Sequence, residues 1–348
     1  MTNHIADMPI SRLGFGAWAV GGAGWRYTWG PTDDAESIAA IHAAAEHGVT
    51  WIDTAAVYGL GHSEALVGRA VAALAEADRP FVFTKAGLVW DDAHPDAAPS
   101  RVMRPESLRR EVDGSLRRLG VDRIDLYQVH WPDTGESLDW NGDGGSASPN
   151  ATPLAEYWAE MAALRQEGKV RAIGLSNHDV AQLDVAHAIA RIDAIQPPFS
   201  ALDRSAASEV RWAAEHDVAV ITYSPMQSGL LTGAFSAERV AALSPDDWRR
   251  GNPAFTVELE RNLRVVEALR PIAARRGVSI GAVAVAWVLA WPGISGAIVG
   301  AKTPAQVAEW APAARLELDS AELASIAAAL VGSEAGIGPV GPAATPAV

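Results

Sequence analysis

Not one of the 348 residues is a cysteine, which removes disulfides, thiolate metal sites and cysteine nucleophiles from consideration. Basic residues are scarce beside acidic ones: 28 Lys and Arg face 42 Asp and Glu, a formal charge of −14. Such a balance offers no basic face to nucleic acid or to an anionic membrane. It does not forbid a phosphorylated ligand, because local donors and helix ends bind phosphate on acidic proteins too. Long apolar runs are missing as well. Met1 to Pro9 has no apolar signal-peptide core, and no uninterrupted 18-residue apolar stretch occurs, so a soluble, cytoplasmic setting is expected. No G-x-G-x-x-G opens a helix after an early strand, and no G-x-S-x-G elbow is present. Those absences count against a doubly wound dinucleotide fold and against Ser-His-Asp hydrolysis.

What is there is a regular alternation of short apolar runs and longer helical patterns, in a chain that is 49% hydrophobic. Strands are expected at Leu13–Phe15, Thr50–Asp53, Phe81–Lys85, Ile124–His130, Val170–Leu175, Ala194–Gln196, Ala219–Tyr223 and Gly296–Val299. Helices are expected between them. The first spans Asp33–His47 with Thr32 as its cap. The second runs Ser63–Ala75 behind Gly61-His62-Ser63-Glu64, and the third Pro105–Leu119 with proline in its first turn. Later helices fall at Leu154–Glu167, Asp179–Ala190, Ser205–His216, Val257–Arg276, Ser279–Ala290, Pro304–Trp310 and Ala321–Leu330. Eight strands alternating with helices predict an α/β fold, a (β/α)8 TIM barrel in a single domain over residues 1–331 with long loops on its C-terminal rim. A polar, flexible insertion is expected at 132–153, and a disordered Gly/Pro/Ala tail at 332–348.

The active site of such a barrel lies where its strands end. Here the strand ends carry Asp53, Lys85, His130, Ser176 and Asn177, Gln196, Tyr223, and Gly300 before Lys302. Each alone has a bland reading; their convergence on one rim does not. Lys85 beside Tyr58 is expected to depress the phenol pKa, with Asp53 holding Lys85 protonated. His130 is placed to polarise a substrate carbonyl or relay its proton. That set suits protonation of a carbonyl oxygen while hydride reaches its carbon. Since no side chain donates hydride, a nicotinamide cofactor is required.

Seven motifs carry a specific resemblance over about Leu13 to Gln306. They are Ile52-Asp53-Thr54-Ala55-Ala56-Val57-Tyr58-Gly59, Thr84-Lys85, Val129-His130-Trp131-Pro132-Asp133, Gly174-Leu175-Ser176-Asn177, Tyr223-Ser224-Pro225-Met226, Ser228-Gly229-Leu230-Leu231-Thr232-Gly233 and Gly300-Ala301-Lys302-Thr303-Pro304-Ala305-Gln306. With them the chain resembles the aldo-keto reductases, in a bacterial branch similar to potassium-channel β-subunits. The resemblance implies NADPH/NADP+ bound across the rim, and Tyr58 as general acid/base supported by Asp53, Lys85 and His130. It further implies Ser176, Asn177 and Gln196 at the carboxamide and Tyr223 under the nicotinamide. Ser224, Pro225, Met226, Ser228, Gly229 and Leu230, together with Gly16, Ala17 and Trp18, are implied at the pyrophosphate. Gly300 leads to Lys302 and Thr303 at the 2′-phosphate, with Gln306 at the adenosine. Two departures stand out: lysine at 302 where arginine is commoner, and Trp310 where asparagine commonly meets adenine.

Thirteen tryptophans are many for this length. Trp25, Trp29, Trp90, Trp131 and Trp140 fall in loops on the catalytic rim, and Trp29, Trp90 and Trp131 are expected in the substrate pocket against a sugar-like or bulky apolar body. Trp287 and Trp291 read as core. Asp139 to Asp143 resembles half a calcium loop, but Asn150 stands where the bidentate carboxylate belongs, so no metal is expected. The expected partner is a small-molecule carbonyl or alcohol, with no nucleic acid and no membrane. Two alternatives remain open: a Schiff-base aldolase using Lys85, and a redox-sensing cofactor-binding subunit with little turnover.

Overall fold

In a computed structural model the described residues are 4–133, 151–244 and 247–341. Eight parallel strands close into a barrel. They are β1 (Leu13–Gly16), β2 (Trp51–Asp53), β3 (Phe81–Ala86), β4 (Ile124–Val129), β5 (Val170–Ser176), β6 (Ala194–Gln196), β7 (Ala219–Thr222) and β8 (Gly296–Gly300), paired in sequence order with β8 returning to β1. The helices are α1 (Asp34–Glu46), α2 (His62–Ala72), α3 (Pro105–Leu119), α4 (Leu154–Gln166), α5 (Val180–Ile189), α6 (Ala207–Glu215), α7 (Leu259–Arg276), α8 (Ile280–Leu289), α9 (Pro304–Trp310) and α10 (Ser320–Ser333). Among the described residues, the excursion between β7 and α7 holds one further short α-helix, Ala237–Ala241, and three 3-10 turns.

The alternation of strand side chains sorts the barrel into two compartments. Outward residues such as Ile52, Val82, Tyr127, Ile173 and Ile195 pack under the helices. Inward residues Trp51, Phe83, Leu126, Ala172, Ala194 and Ala219 form an apolar plug with Ile5, Met8 and Ile10 from the N-terminal segment. Trp51 stacks on Phe83 at 5.2 Å. Its indole fits only because Gly14 has no side chain: a Cβ there would lie 2.4 Å from the ring. Two residues further along the same strands, still facing inward, the plug gives way to Asp53, Lys85, Gln128 and Gln196, all buried. The step from plug to polar layer positions the site.

Element boundaries differ from expectation mainly at caps. Asp33, not Thr32, caps α1, its carboxylate accepting from the Glu36 N–H. No side chain caps α2, because Gly61 precedes it in a left-handed conformation (φ 96°) and His62 begins the helix. The tail expected to be disordered from Gly332 is placed through residue 341: Gly332 and Ser333 complete α10. Beyond it, Arg204 N–H donates to Ile337 O and Arg204 Nε to Pro339 O. A hairpin of His4–Ile5 with Met8–Pro9 and a ladder of Leu88–Val89 with Ser100–Arg101 are additions to the expected elements. Most of the 132–153 insertion, with Trp140 and the Asp139 to Asp143 segment, lies outside the described residues. Among the described residues no single helix is long and apolar enough to cross a membrane.

Candidate active site

Lys85 sits at the centre of the polar layer. Its Nζ donates to Asp53 Oδ1, to Thr54 O at 2.9 Å and to Tyr58 OH at 3.3 Å, and lies 5.0 Å from the Tyr58 ring centre. Because Lys85 donates to the phenol oxygen, the Tyr58 proton is left for another acceptor. The His130 ring meets Tyr58 edge-on at 5.7 Å. Tyr58 reaches this point through a tight turn beyond β2, pinned by Thr54 N–H to Phe83 O and Tyr58 N–H to Ala55 O. Gly59 makes the turn feasible: its φ is 59°, and a Cβ there would fall 1.9 Å from Gly21 O.

Burial decides the electrostatics, and it reverses one expectation. The Tyr58 pKa is raised well above the ordinary phenol value, first by burial and then by the charge of Asp53. Depression by Lys85 was expected instead; the ammonium is close, but enclosure and the carboxylate behind it outweigh it. Lys85 is itself pulled below the usual lysine value by burial, against the opposing pull of Asp53. His130 is held well below the usual imidazole value by burial and by the Lys85 charge, so it is neutral. A phenol that keeps its proton beside a neutral imidazole has a proton it can give.

Asp53, Tyr58 and His130 open onto a cavity of about 1140 Å³, beyond the roughly 300–1,000 Å³ typical of small-molecule pockets. It runs past Asp53, Tyr58, His130, Ser176, Asn177, Gln196 and Tyr223, along Ser224, Pro225, Met226, Ser228 and Gly229, to Gly300, Lys302 and Gln306. Gly16, Ala17 and Trp18 line it too. Several lining groups are held in advance of any ligand. Ser176 Oγ donates to Gln196 O, Asn177 Nδ2 to His130 O, and Tyr223 OH to Asn177 Oδ1. Three non-glycine residues in the left-handed region, Asn177, Ser224 and Ser228, line this wall, where backbone strain tends to accompany ligand binding. Trp29 and Trp310 line the cavity, and their buried indole N–H groups have no hydrogen-bond partner among the described residues. A cavity of this volume, lined by part of the polar layer and by the cations Lys302 and Arg249, has room for a dinucleotide.

Some expected residues are placed elsewhere. Leu230 is buried in the core, and Thr303 caps α9 through its hydroxyl; neither lines the cavity. Nor does Trp90, whose Nε1 donates to Asp92 and whose ring faces the Arg118 guanidinium at 5.9 Å. Trp29 belongs to the Lys302 end, since Lys302 Nζ donates to Trp29 O. Trp131 lines the cavity, and so does Trp18, 5.0 Å from the Tyr58 ring. Trp25 is buried 6.2 Å from Tyr58, and Trp287 and Trp291 are buried, as core. Arg249 was missed. It lines the cavity, packs on the Trp29 ring at 5.6 Å and is gripped by Asp247. The only sequence signal for it is the Arg249-Arg250 pair in the excursion after β7.

A closed eight-stranded barrel with this buried Asp, Tyr, Lys and His cluster at its rim defines an oxidoreductase scaffold, and the chain belongs to the Aldo/keto reductase family, whose profile matches residues 12–331. It is 36% identical over 308 residues to the aldo-keto reductase YhdN of Bacillus subtilis (strain 168), covering 87% of this chain and 85% of that one. It is 34% identical over 327 residues to the NADH-specific methylglyoxal reductase of Escherichia coli (strain K12), covering 91% and 93%. Among solved structures, the glycerol dehydrogenase AKR11B4 from Gluconobacter oxydans is similar with a TM-score of 0.80 and 36% identity, over 94% of this chain and 93% of that one.

Proposed function

We propose that this protein reduces an aldehyde or ketone reversibly, with NADPH as its coenzyme and Tyr58 as its general acid. The observation that carries the proposal is the Lys85 ammonium, which engages Asp53, Thr54 O and Tyr58 OH together beside a neutral His130 at the cavity wall. When bound, the coenzyme supplies the hydride that no side chain can. Tyr58 gives its proton to the carbonyl oxygen in reduction and takes it back in oxidation. Lys85 donates to the phenol oxygen and so stabilises negative charge that builds there, while Asp53 keeps Lys85 in place. His130, neutral, offers a hydrogen bond to the same carbonyl oxygen. Ser176, Asn177, Gln196 and Tyr223 hold the nicotinamide end, and Lys302 favours the coenzyme that bears a 2′-phosphate.

Rings of Trp18, Tyr27 and Trp131 wall the cavity with Tyr58, and Trp25 backs that ring, so the substrate presents a compact body to aromatic faces. Relatives named for methylglyoxal and glycerol support a small oxygenated substrate. The aldolase alternative loses its footing on access: Lys85 is enclosed and does not line the cavity, with its donors committed to three oxygens. A panel of small aldehydes and ketones, followed by coenzyme absorbance with NADPH and with NADH, tests the proposal. Coenzyme binding without turnover on any carbonyl would favour the redox-sensing alternative.

A further inference from the structure

Gln128 stands on β4, two residues before His130 and in register with Lys85 on β3. It is wholly buried, and none of the roles above uses it. A buried amide is costly unless its polar ends are met. Gln128 Nε2 donates to Asp53 Oδ2 at 3.2 Å, and Gln128 Oε1 accepts from Gln196 Nε2 at 3.1 Å. Gln196 Nε2 also donates to Asp53 Oδ2, at 2.8 Å. Three side chains from β2, β4 and β6 therefore close a ring of hydrogen bonds inside the barrel.

The ring sets the direction of both amides. A carboxylate only accepts, so each glutamine turns N–H toward Asp53. Gln128 then presents its carbonyl to Gln196, and both Gln196 N–H groups are committed. Amide orientations are otherwise ambiguous; here each assignment requires the other. Gln196 lines the cavity, and its carbonyl oxygen is the end that no neighbour among the described residues holds. What Gln196 offers a ligand is an acceptor.

We propose that Gln128 is a positioning residue that fixes Gln196 with its carbonyl presented to the carboxamide N–H of a nicotinamide ring. It ties that contact to the carboxylate behind Lys85, so the coenzyme seat and the proton-donating cluster form one hydrogen-bonded unit. The inference rests on the coenzyme reading given above. An apolar side chain of the same length at 128 would fill the space, leave Asp53 Oδ2 one donor short and release one Gln196 N–H.

The test is calorimetric binding of NADPH and of its 3-acetylpyridine analogue, in which an acetyl group without N–H replaces the carboxamide. The proteins are the wild type, Gln128→Met, Gln196→Leu and the double variant. The wild type should favour NADPH over the analogue by roughly fivefold or more, the weight of one neutral hydrogen bond. Gln128→Met should bind NADPH about fivefold more weakly and lose most of that preference. In the Gln196→Leu background, Gln128→Met should cost nothing further, because the two act as a unit. Additive losses in the double variant, or an unchanged preference in Gln128→Met, overturn the proposal and leave the coenzyme reading standing. A wild type that binds neither dinucleotide overturns both. If Gln128→Met does not fold, Gln128→Asn, one methylene shorter, must show the same weaker binding and narrower preference, and wild-type behaviour there overturns the proposal.

Discussion

Lys302 donates from Nζ to the backbone carbonyl of Trp29 at 2.8 Å, tying the turn after β8 to the loop after β1 across one end of the cavity. Burial and the like charge of Arg249 pull its pKa below the usual lysine value. An anion here gains one ammonium that is already half-desolvated, with the Arg249 guanidinium beside it. NADH carries no 2′-phosphate to exploit that. Lys302→Ala is therefore expected to weaken NADPH by roughly ten- to a hundredfold, the range of a charge-assisted contact, and NADH far less. Equal losses for the two coenzymes in a fluorescence titration would reduce Lys302 to a loop tether.

Tyr58→Phe keeps the ring that packs on Trp18 and removes only the proton donor. Turnover is expected to fall by about 10²–10⁴, while the dissociation constant of the coenzyme stays close to wild type. Pre-steady-state reduction of a reactive aldehyde, set beside coenzyme titration, separates the two quantities. A Phe variant with wild-type kcat would mean that another group protonates the carbonyl.

The barrel was legible because buried parallel strands leave short apolar runs that helical stretches interrupt, and eight such runs close a ring. The cluster was legible because Asp53, Lys85 and His130 each end a run. Other features depend on what no local pattern encodes. Two-residue strands such as His4–Ile5 have no periodicity to detect. The Tyr58 pKa was misjudged because proximity to Lys85 is visible in sequence, whereas enclosure is not. Trp90 sits in a rim loop, but its direction depends on Arg118 from α3. Gln128 passed as a strand residue until the registers of β2, β4 and β6 brought it beside Asp53 and Gln196.

The tail illustrates the same limit and yields a prediction. Its composition suggests disorder, yet the carbonyls of Gly338 and Pro339 accept from the buried Arg204 guanidinium, which also reaches Ala201 O. Deleting residues 336–348 should leave that cation short of acceptors and destabilise the fold by about 2–4 kcal/mol, since charged donors lose more than neutral ones. Arg204→Met should recover part of the loss in the shortened chain and cost stability in the full one, a coupling that denaturant unfolding can measure. Additive effects of deletion and substitution would show that the tail does not serve Arg204.

Glu111, on α3, accepts from Gly87 N–H at 2.8 Å and from Ser107 Oγ at 3.2 Å. Burial nevertheless lifts its pKa to about 7, against those donors and the charges of Arg110 and Arg118. A carboxyl raised on folding contributes fully below its unfolded pKa, and that contribution is lost as pH climbs through the folded value. The wild type should therefore lose stability relative to Glu111→Gln across the window from about pH 4.5 to about pH 7, by up to roughly 3 kcal/mol at its upper end. Glutamine keeps an acceptor for Gly87 and cannot ionise, so its own profile should be flatter over that window. Urea unfolding of both proteins at several pH values measures the difference. Parallel profiles would mean that Glu111 titrates in the fold as it does in the unfolded chain, its burial offset by Gly87, Ser107 and the two arginines.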